Sequence, residues 1–305
     1  MTEANVRSER SFSTSRMRVP GDHHRYTGGR EVFMKQFTAT STLYGREKEG
    51  DDGNMRKEDS EVLGFRWLLL RHGQTDYNAA GRVQGSSDTS RLSEEGQMQA
   101  REVGIFLGTL NIDYVYVSPL SRAQDTLKEA EEAAGKTFAD TKVVVNELRE
   151  VDLHEWEGLY KKAIKEQWPD TYELWRGKNP EEMQLASGRY PIRDLWQRAA
   201  AVWGQLLADA ASHQGTGGMA RKRTTLITGH NGINQALLVT ALGLPEKAFR
   251  KFEFPNCGVV EIVWKPGQER ACMWRYLYPT LSEWKTTQET QGLIEAAYRG
   301  MNESI

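Results

Sequence analysis

The chain has 305 residues, 38% of them hydrophobic, and 40 Lys and Arg against 42 Asp and Glu for a net charge of −2. That is enough apolar material for one sizeable domain with extensions. The balanced charge gives no global pull toward nucleic acid or an anionic membrane, so neither is expected as a partner and any positive pocket is local. No apolar run approaches the ~20 residues of a membrane-spanning helix. Two cysteines, Cys257 and Cys272, make no disulfide framework, which fits a reducing intracellular compartment.

Residues 1–62 are rich in Ser, Thr, Arg, Gly and charge, with no sustained hydrophobic period. The stretch from Gly50 to Glu61 reads as a disordered linker. Ser11 to Arg18 has the Arg- and Ser-rich character of a transit peptide, although Glu3 and Glu9 are out of keeping with one. A transit peptide and a plain disordered extension are both open here.

From residue 63 to about 280, strand-like and helix-like segments alternate. Strands are expected at 65–70, 113–117, 142–146, 224–229 and 258–264, with 273–278 as an edge. Between them, helices are expected from Ser93, a capping-type serine, to Leu110; from Ser121 to Ala134, stopping at Gly135; and from Arg193 to Ser212. In the last of these Leu195, Trp196, Ala199, Val202, Trp203, Leu206, Leu207 and Ala210 share one helical face, which marks core. A further helix is expected from Ile233 to Leu242, with Gly243 and Pro245 as stops. His213 to Arg223 reads as a surface loop, and 281–305 as a tail. The alternation predicts an α/β fold: a three-layer sandwich with a largely parallel central sheet and helices on both faces. Residues 160–193 mix Trp168, Tyr172, Trp175 and Tyr190 with basic and acidic side chains. Because Glu166, Asp170, Glu173, Glu181 and Glu182 interrupt the basic residues, no nucleic-acid stripe forms, and a helical lid over the core is expected.

Chemistry gathers at the ends of the strand-like runs. Phe65 to Leu70 ends in Arg71-His72-Gly73, and Thr224 to Gly229 ends in His230-Asn231-Gly232. In open α/β sheets, ligands bind at the carboxyl ends of strands, so the two histidines are expected to face one site. An imidazole can accept a phosphoryl group, and a guanidinium beside it can hold phosphate oxygens through paired hydrogen bonds. Tyr114 to Val117 leads into Ser118-Pro119-Leu120-Ser121-Arg122. There, Ser118 or Ser121 is expected to cap the helix, and a cation in its first turns suits a bound anion. Val143 to Val145 leads into an acidic run, Glu147 to Glu157, from which one carboxyl could donate a proton to a leaving alkoxide.

Taken together, Leu70-Arg71-His72-Gly73-Gln74-Thr75-Asp76-Tyr77-Asn78, Arg82-Val83-Gln84-Gly85, Leu92-Ser93-Glu94-Glu95-Gly96, Ser118-Pro119-Leu120-Ser121-Arg122-Ala123 and Gly229-His230-Asn231 resemble the histidine phosphatase superfamily, the phosphoglycerate mutase-like family. The resemblance implies a phosphoglycerate mutase-like fold and a metal-independent phosphomonoester hydrolase that uses no cofactor and acts on a small phosphorylated metabolite. It implies that His72 is the nucleophile, that Arg71 and Arg122 bind the phosphoryl oxygens, and that His230 is the second pocket histidine. It places the proton donor at Glu150, with Glu147 as the alternative, and lines the pocket with Asn78, Gln84, Gly85 and Asn231. Arg71 and Arg122 are expected to keep His72 neutral. One departure is His154, where many members have glycine.

Mutases of the family typically carry Glu-Arg-His-Tyr-Gly in the acid loop, whereas here the text is Glu150-Val151-Asp152-Leu153-His154. The segments from 160 to 196, Asn231 to Leu237 and Asn256 to Val259 are more similar to plant and algal 2-carboxyarabinitol-1-phosphatase-like proteins. That similarity implies a sugar phosphate or phosphorylated sugar acid as substrate, and the plastid stroma or the cytoplasm as compartment. Mutase-type transfer and a phosphoprotein phosphatase or adaptor are the alternatives.

Overall fold

The computed structural model describes residues 64–177, 179–212, 223–265 and 270–279. The extension expected at 1–62, the tail at 281–305 and nearly all of the loop from His213 lie outside the described residues.

Six strands form one sheet: β1 (Phe65–Arg71), β2 (Tyr114–Val117), β3 (Lys142–Val144), β4 (Arg223–Gly229), β5 (Val259–Trp264) and β6 (Met273–Tyr278), in the order β3-β2-β4-β1-β5-β6. β3, β2, β4 and β1 are mutually parallel; β5 runs antiparallel to β1, and β6 to β5. The expected largely parallel sheet with β6 at its edge is what forms. β3 is shorter than expected because the chain turns into a 3-10 helix at Asn146–Leu148.

The helices are α1 (Asp76–Ala79), α2 (Glu94–Gly108), α3 (Ser121–Ala134), α4 (Lys161–Gln167), α5 (Pro169–Arg176), α6 (Pro191–Ser212) and α7 (Asn231–Ala241). The side chains of β1 alternate between two apolar layers, as the period of two requires. Leu68 and Leu70 pack with Val103 and Leu107 of α2 and Ala123 and Leu127 of α3. Trp67 and Leu69 pack with Leu195, Val202 and Trp203 of α6 and Ile233 and Leu237 of α7. Burial on both faces is why β1 reads as an unbroken apolar run from Trp67 to Leu70.

Helix starts show where local reasoning holds and where it fails. Ser93 caps α2, its side chain accepting from Gly96 N–H. At α3 neither Ser118 nor Ser121 caps; the N-cap residue is Leu120, without a side-chain bond. Asp88, from a distant loop, supplies the acceptor instead: its Oδ1 takes the Ser121 N–H at 2.8 Å and its Oδ2 the Ser121 hydroxyl at 2.7 Å. A tertiary carboxylate satisfies the helix start just as a local one would. α6 begins two residues early, with Pro191 in the first helical turn, where its missing N–H costs nothing.

Within 160–193, Ile164, Trp175, Met183 and Leu185 are buried in the same apolar layer as α6 and α7. Trp156 gathers Trp168, Tyr172 and Trp175 around it at ring-centroid distances of 6.2, 6.4 and 5.6 Å. Trp168 and Tyr172 are partly buried and pack against that same apolar layer. No helix among the described residues is long and apolar enough to cross a membrane.

Candidate active site

Strand register builds the centre of the site. β1 and β4 are hydrogen-bonded neighbours with Arg71 opposite Gly229, so the next residue of each strand, His72 and His230, emerges side by side. Their ring centroids are 5.1 Å apart, and both residues are buried. His72 Nδ1 lies 2.7 Å from the Gly73 carbonyl oxygen. A carbonyl only accepts, so Nδ1 carries the hydrogen and Nε2 keeps its lone pair. His230 is held in the opposite sense. Its Nδ1 accepts from Arg122 Nε–H at 3.2 Å, which leaves Nε2–H to donate to the Ser118 hydroxyl oxygen at 2.7 Å. Burial holds His72 well below the usual histidine range, with Arg122 and Arg71 as the lesser causes. For His230, too, burial comes first and Arg122 second. Both rings are therefore neutral at pH 7, but desolvation contributes more than the arginines to which the sequence reading gave the effect.

Arg122 is fully buried in the first turn of α3. Besides His230, its guanidinium donates to the Ser87 carbonyl oxygen at 2.8 Å and the Gly85 carbonyl oxygen at 2.7 Å. Burial pushes it down to about 10, which leaves it a cation at neutral pH. Arg71 donates through Nη1 to the Phe254 carbonyl oxygen at 2.5 Å, while its buried Nε has no partner. An unanswered guanidinium N–H beside a neutral, nucleophilic imidazole suits an incoming oxyanion.

Glu150 closes the other side. Its Oε2 accepts from Gly232 N–H at 2.9 Å; its Oε1 accepts from Ile233 N–H at 3.2 Å and Val151 N–H at 2.8 Å. α7 begins with His230 as an N-cap that makes no side-chain cap bond, and the Glu150 carboxylate takes its place at the start of the helix. Glu147 is exposed, and of the two acids it is Glu150 whose carboxylate meets the helix start that follows His230. His154 adopts φ 41°, in the left-handed region, which explains why glycine suits that position. Its ring contacts Arg189.

The remaining expected residues hold the walls. Asn78 caps back onto Thr75 and accepts from Asn256 Nδ2 at 3.3 Å. Gln84 Oε1 is taken by the hydroxyls of Thr75 and Ser90, Gly85 presents its carbonyl to Arg122, and Asn231 Oδ1 accepts from Phe254 N–H at 3.3 Å. Sequence reasoning missed several others. Asn256 donates to the His72 carbonyl oxygen at 3.1 Å, and Thr126 Oγ1 accepts the Gly73 N–H at 2.9 Å. Glu157 ties two loops together, its Oε1 accepting from Ser86 N–H at 2.8 Å and Leu153 N–H at 3.0 Å. Arg198 of α6 clamps the acid loop. These contacts run from side chain to backbone between distant segments; Glu157 and Asn256 lay within stretches already singled out, but not for these contacts.

A family model for the histidine phosphatase superfamily (branch 1) matches residues 67–276, from within β1 to within β6. The chain belongs to the histidine phosphatase superfamily. Among its relatives in that superfamily is the 2-carboxy-D-arabinitol-1-phosphatase of Triticum aestivum, 36% identical over 204 residues, which are 66% of this chain and 38% of that protein. A probable 2-carboxy-D-arabinitol-1-phosphatase of Arabidopsis thaliana is 37% identical over 194 residues, 64% of this chain and 37% of that one. The chain thus spans little more than a third of the length of these plant relatives. A probable phosphoglycerate mutase of Enterobacter sp. (strain 638) is 30% identical over 206 residues, 68% of this chain and 88% of that one. Among solved structures, a mycobacterial glucosyl-3-phosphoglycerate phosphatase superposes with a TM-score of 0.57 at 27% identity, covering 70% of this chain and 97% of that chain.

Proposed function

We propose that this chain is a phosphomonoester hydrolase that works through a phosphohistidine on a small phosphorylated sugar acid. The observation that carries the reading is the pairing of His72, neutral and with Nε2 free, with His230 between buried Arg122 and half-buried Arg71, while Glu150 stands at the facing helix start.

Phosphoryl transfer asks mainly for positioning and charge neutralisation. Arg71 and Arg122 hold the phosphoryl oxygens, and His230 orients them. His72 Nε2 attacks phosphorus in line as the ester P–O bond breaks, and Glu150 gives a proton to the departing alkoxide. Of its two oxygens, Oε1 already accepts two N–H bonds, whereas Oε2 accepts one and keeps a lone pair; the transferable proton belongs on Oε2. The Glu150 carboxylate then takes a proton from water, the resulting hydroxide attacks phosphorus, and the N–P bond breaks. Inorganic phosphate and neutral His72 are restored. The arginine pair supplies the charge neutralisation that a metal ion supplies in other phosphoryl-transfer sites.

Cations beyond the phosphate pocket support this substrate class. Lys161, from the 160–193 segment, faces Arg176, Arg71 and Arg250 as like charges, and Arg250 faces Arg176 as a like charge with Glu150 and Glu253 as opposite ones. Among the described residues, none of these four makes an ion pair. Arg250 stacks on the Trp175 ring at 4.7 Å and donates to the Trp175 carbonyl oxygen at 3.0 Å. A second anionic group on the substrate, a carboxylate a few bonds from the phosphate, would relieve this repulsion, and the plant relatives' names carry that pair of groups. The 160–193 segment serves as the lid over such a substrate.

The test is phosphate release from a panel of sugar phosphates, phosphorylated sugar acids and phosphoglycerates, with a His72→Ala control. Release from a phosphorylated sugar acid that depends on His72 is the expected result. Interconversion of 3- and 2-phosphoglycerate without release would make the chain a mutase. Release from phosphopeptides alone would make it a protein phosphatase.

A further inference from the structure

We infer that Arg198 is a positioning residue for Glu150: it fixes the backbone of the acid loop so that the carboxyl meets the start of α7. This rests on the proton-donor role proposed above.

After the 3-10 turn at Asn146–Leu148 the chain from Arg149 to Leu153 has no regular secondary structure, so its carbonyls have no ladder to pair with. Arg198 supplies their donors. Its Nη1 reaches the carbonyl oxygens of Glu147 at 3.2 Å and Arg149 at 2.5 Å, and its Nη2 reaches that of Glu150 at 3.1 Å. The planar fork of a guanidinium imposes one geometry on the acceptors it holds at once. The base from which it reaches is rigid: Leu195 and Val202, one helical turn either side of Arg198, and its neighbour Ala199 are buried in the core against α6.

Glu150 is therefore held twice, its backbone by α6 and its carboxyl oxygens by the Gly232 and Ile233 N–H groups of α7. Either tie alone would leave the proton free to shift relative to the leaving oxygen, which sits at a distance set by His72 and the arginines. The arrangement accounts for a basic residue that contacts three carbonyl oxygens beside a site that needs phosphate ligands. Its charge is committed to the loop and not to the substrate.

The test compares the parent with Arg198→Met, Arg198→Lys and Glu150→Gln on two substrates, an alkyl phosphate and 2,4-dinitrophenyl phosphate, together with competitive inhibition by inorganic phosphate. A misplaced general acid harms only reactions that need its proton. Because Glu150 also serves the second step, the comparison is made on kcat/KM, which ends at departure of the leaving group: Arg198→Met is expected to lower it on the alkyl phosphate by roughly 10- to 100-fold, and on the dinitrophenyl ester by less than about threefold. Phosphate inhibition should be unchanged, and Arg198→Lys should recover part of the loss. If the methionine variant fails to fold, the lysine variant carries the same comparison. Equal loss on both substrates, weakened phosphate inhibition, or parental rates would overturn the inference. Glu150→Gln separates the two levels: leaving-group selectivity there but not at Arg198 removes only the positioning role, whereas its absence at Glu150 removes both.

Discussion

The neutral, buried histidine pair makes stability depend on pH in a way that can be worked out in sign and size. His72 is 2% exposed and His230 0%; burial, then Arg122, holds both well below their ordinary value. In the unfolded chain each returns to about 6.5. Above that pH neither state binds the protons and the contribution is flat. As the pH falls below it, the unfolded chain takes up protons that the native state refuses, so stability falls until the depressed native values are reached. Each ring contributes ~1.4 kcal/mol per pH unit on that limb, and the pair ~2.7. His72→Asn and His230→Asn each remove one such proton. Urea unfolding of the full chain between about pH 7.5 and pH 5 measures it, and the parent-minus-variant difference cancels the carboxyl groups common to both. The gap between parent and either variant should move in the variant's favour by ~1.4 kcal/mol per pH unit below 6.5. Parallel curves would mean that the ring is protonated or solvated in the native state, and the argument for a neutral nucleophile would fall.

Replacing His72 by alanine should abolish both turnover and the acid-labile phosphoprotein trapped by rapid quench; either surviving would move the nucleophile elsewhere. Glu150→Gln should lower kcat/KM for an alkyl phosphate by roughly 10²–10⁴-fold while sparing kcat/KM for a dinitrophenyl ester, and exposed Glu147→Gln should do neither; the reverse pattern in steady-state assays would exchange the two acids. Arg250→Met should raise KM about tenfold or more for a phosphorylated sugar acid, about 1.4 kcal/mol of lost pairing, and leave the matching phosphate without a carboxylate unaffected; equal changes would remove the second anionic subsite. Gly232→Ala places a methyl carbon 2.4 Å from Glu150 Oε1, so it should displace the carboxyl and reproduce the selectivity of Glu150→Gln; unselective loss would show damage to the helix instead.

What the sequence disclosed and what it withheld have the same physical origin. β1 and β4 are buried on both faces, so Trp67 to Leu70 reads as an apolar run and Thr224 to Thr228 as a β-branched, strand-like one, and the polar residues at their ends, Arg71-His72 and His230, stand out as strand-end chemistry. Their pairing is not written locally; it comes from the Arg71–Gly229 register, and the family motifs anticipate it only because their order implies the fold. The acid was less legible. Glu147, Glu150, Asp152, Glu155 and Glu157 differ little as text, and what separates them is where the loop is tied. Glu150 meets a helix start that its own N-cap leaves unserved, Glu157 bridges to Ser86, and Glu147 faces outward. The ties themselves (Asp88, Arg198, Asn256) leave no periodic trace, because side chains that satisfy irregular backbone answer to geometry across the fold. Strands deliver the proposed nucleophile and its partner, and loops deliver the proposed acid; the loops hold their shape through long-range side-chain bonds to backbone. A substitution in that tethering layer should therefore alter proton delivery before it alters phosphate binding, which is the separation that the Arg198 and Gly232 variants are built to read.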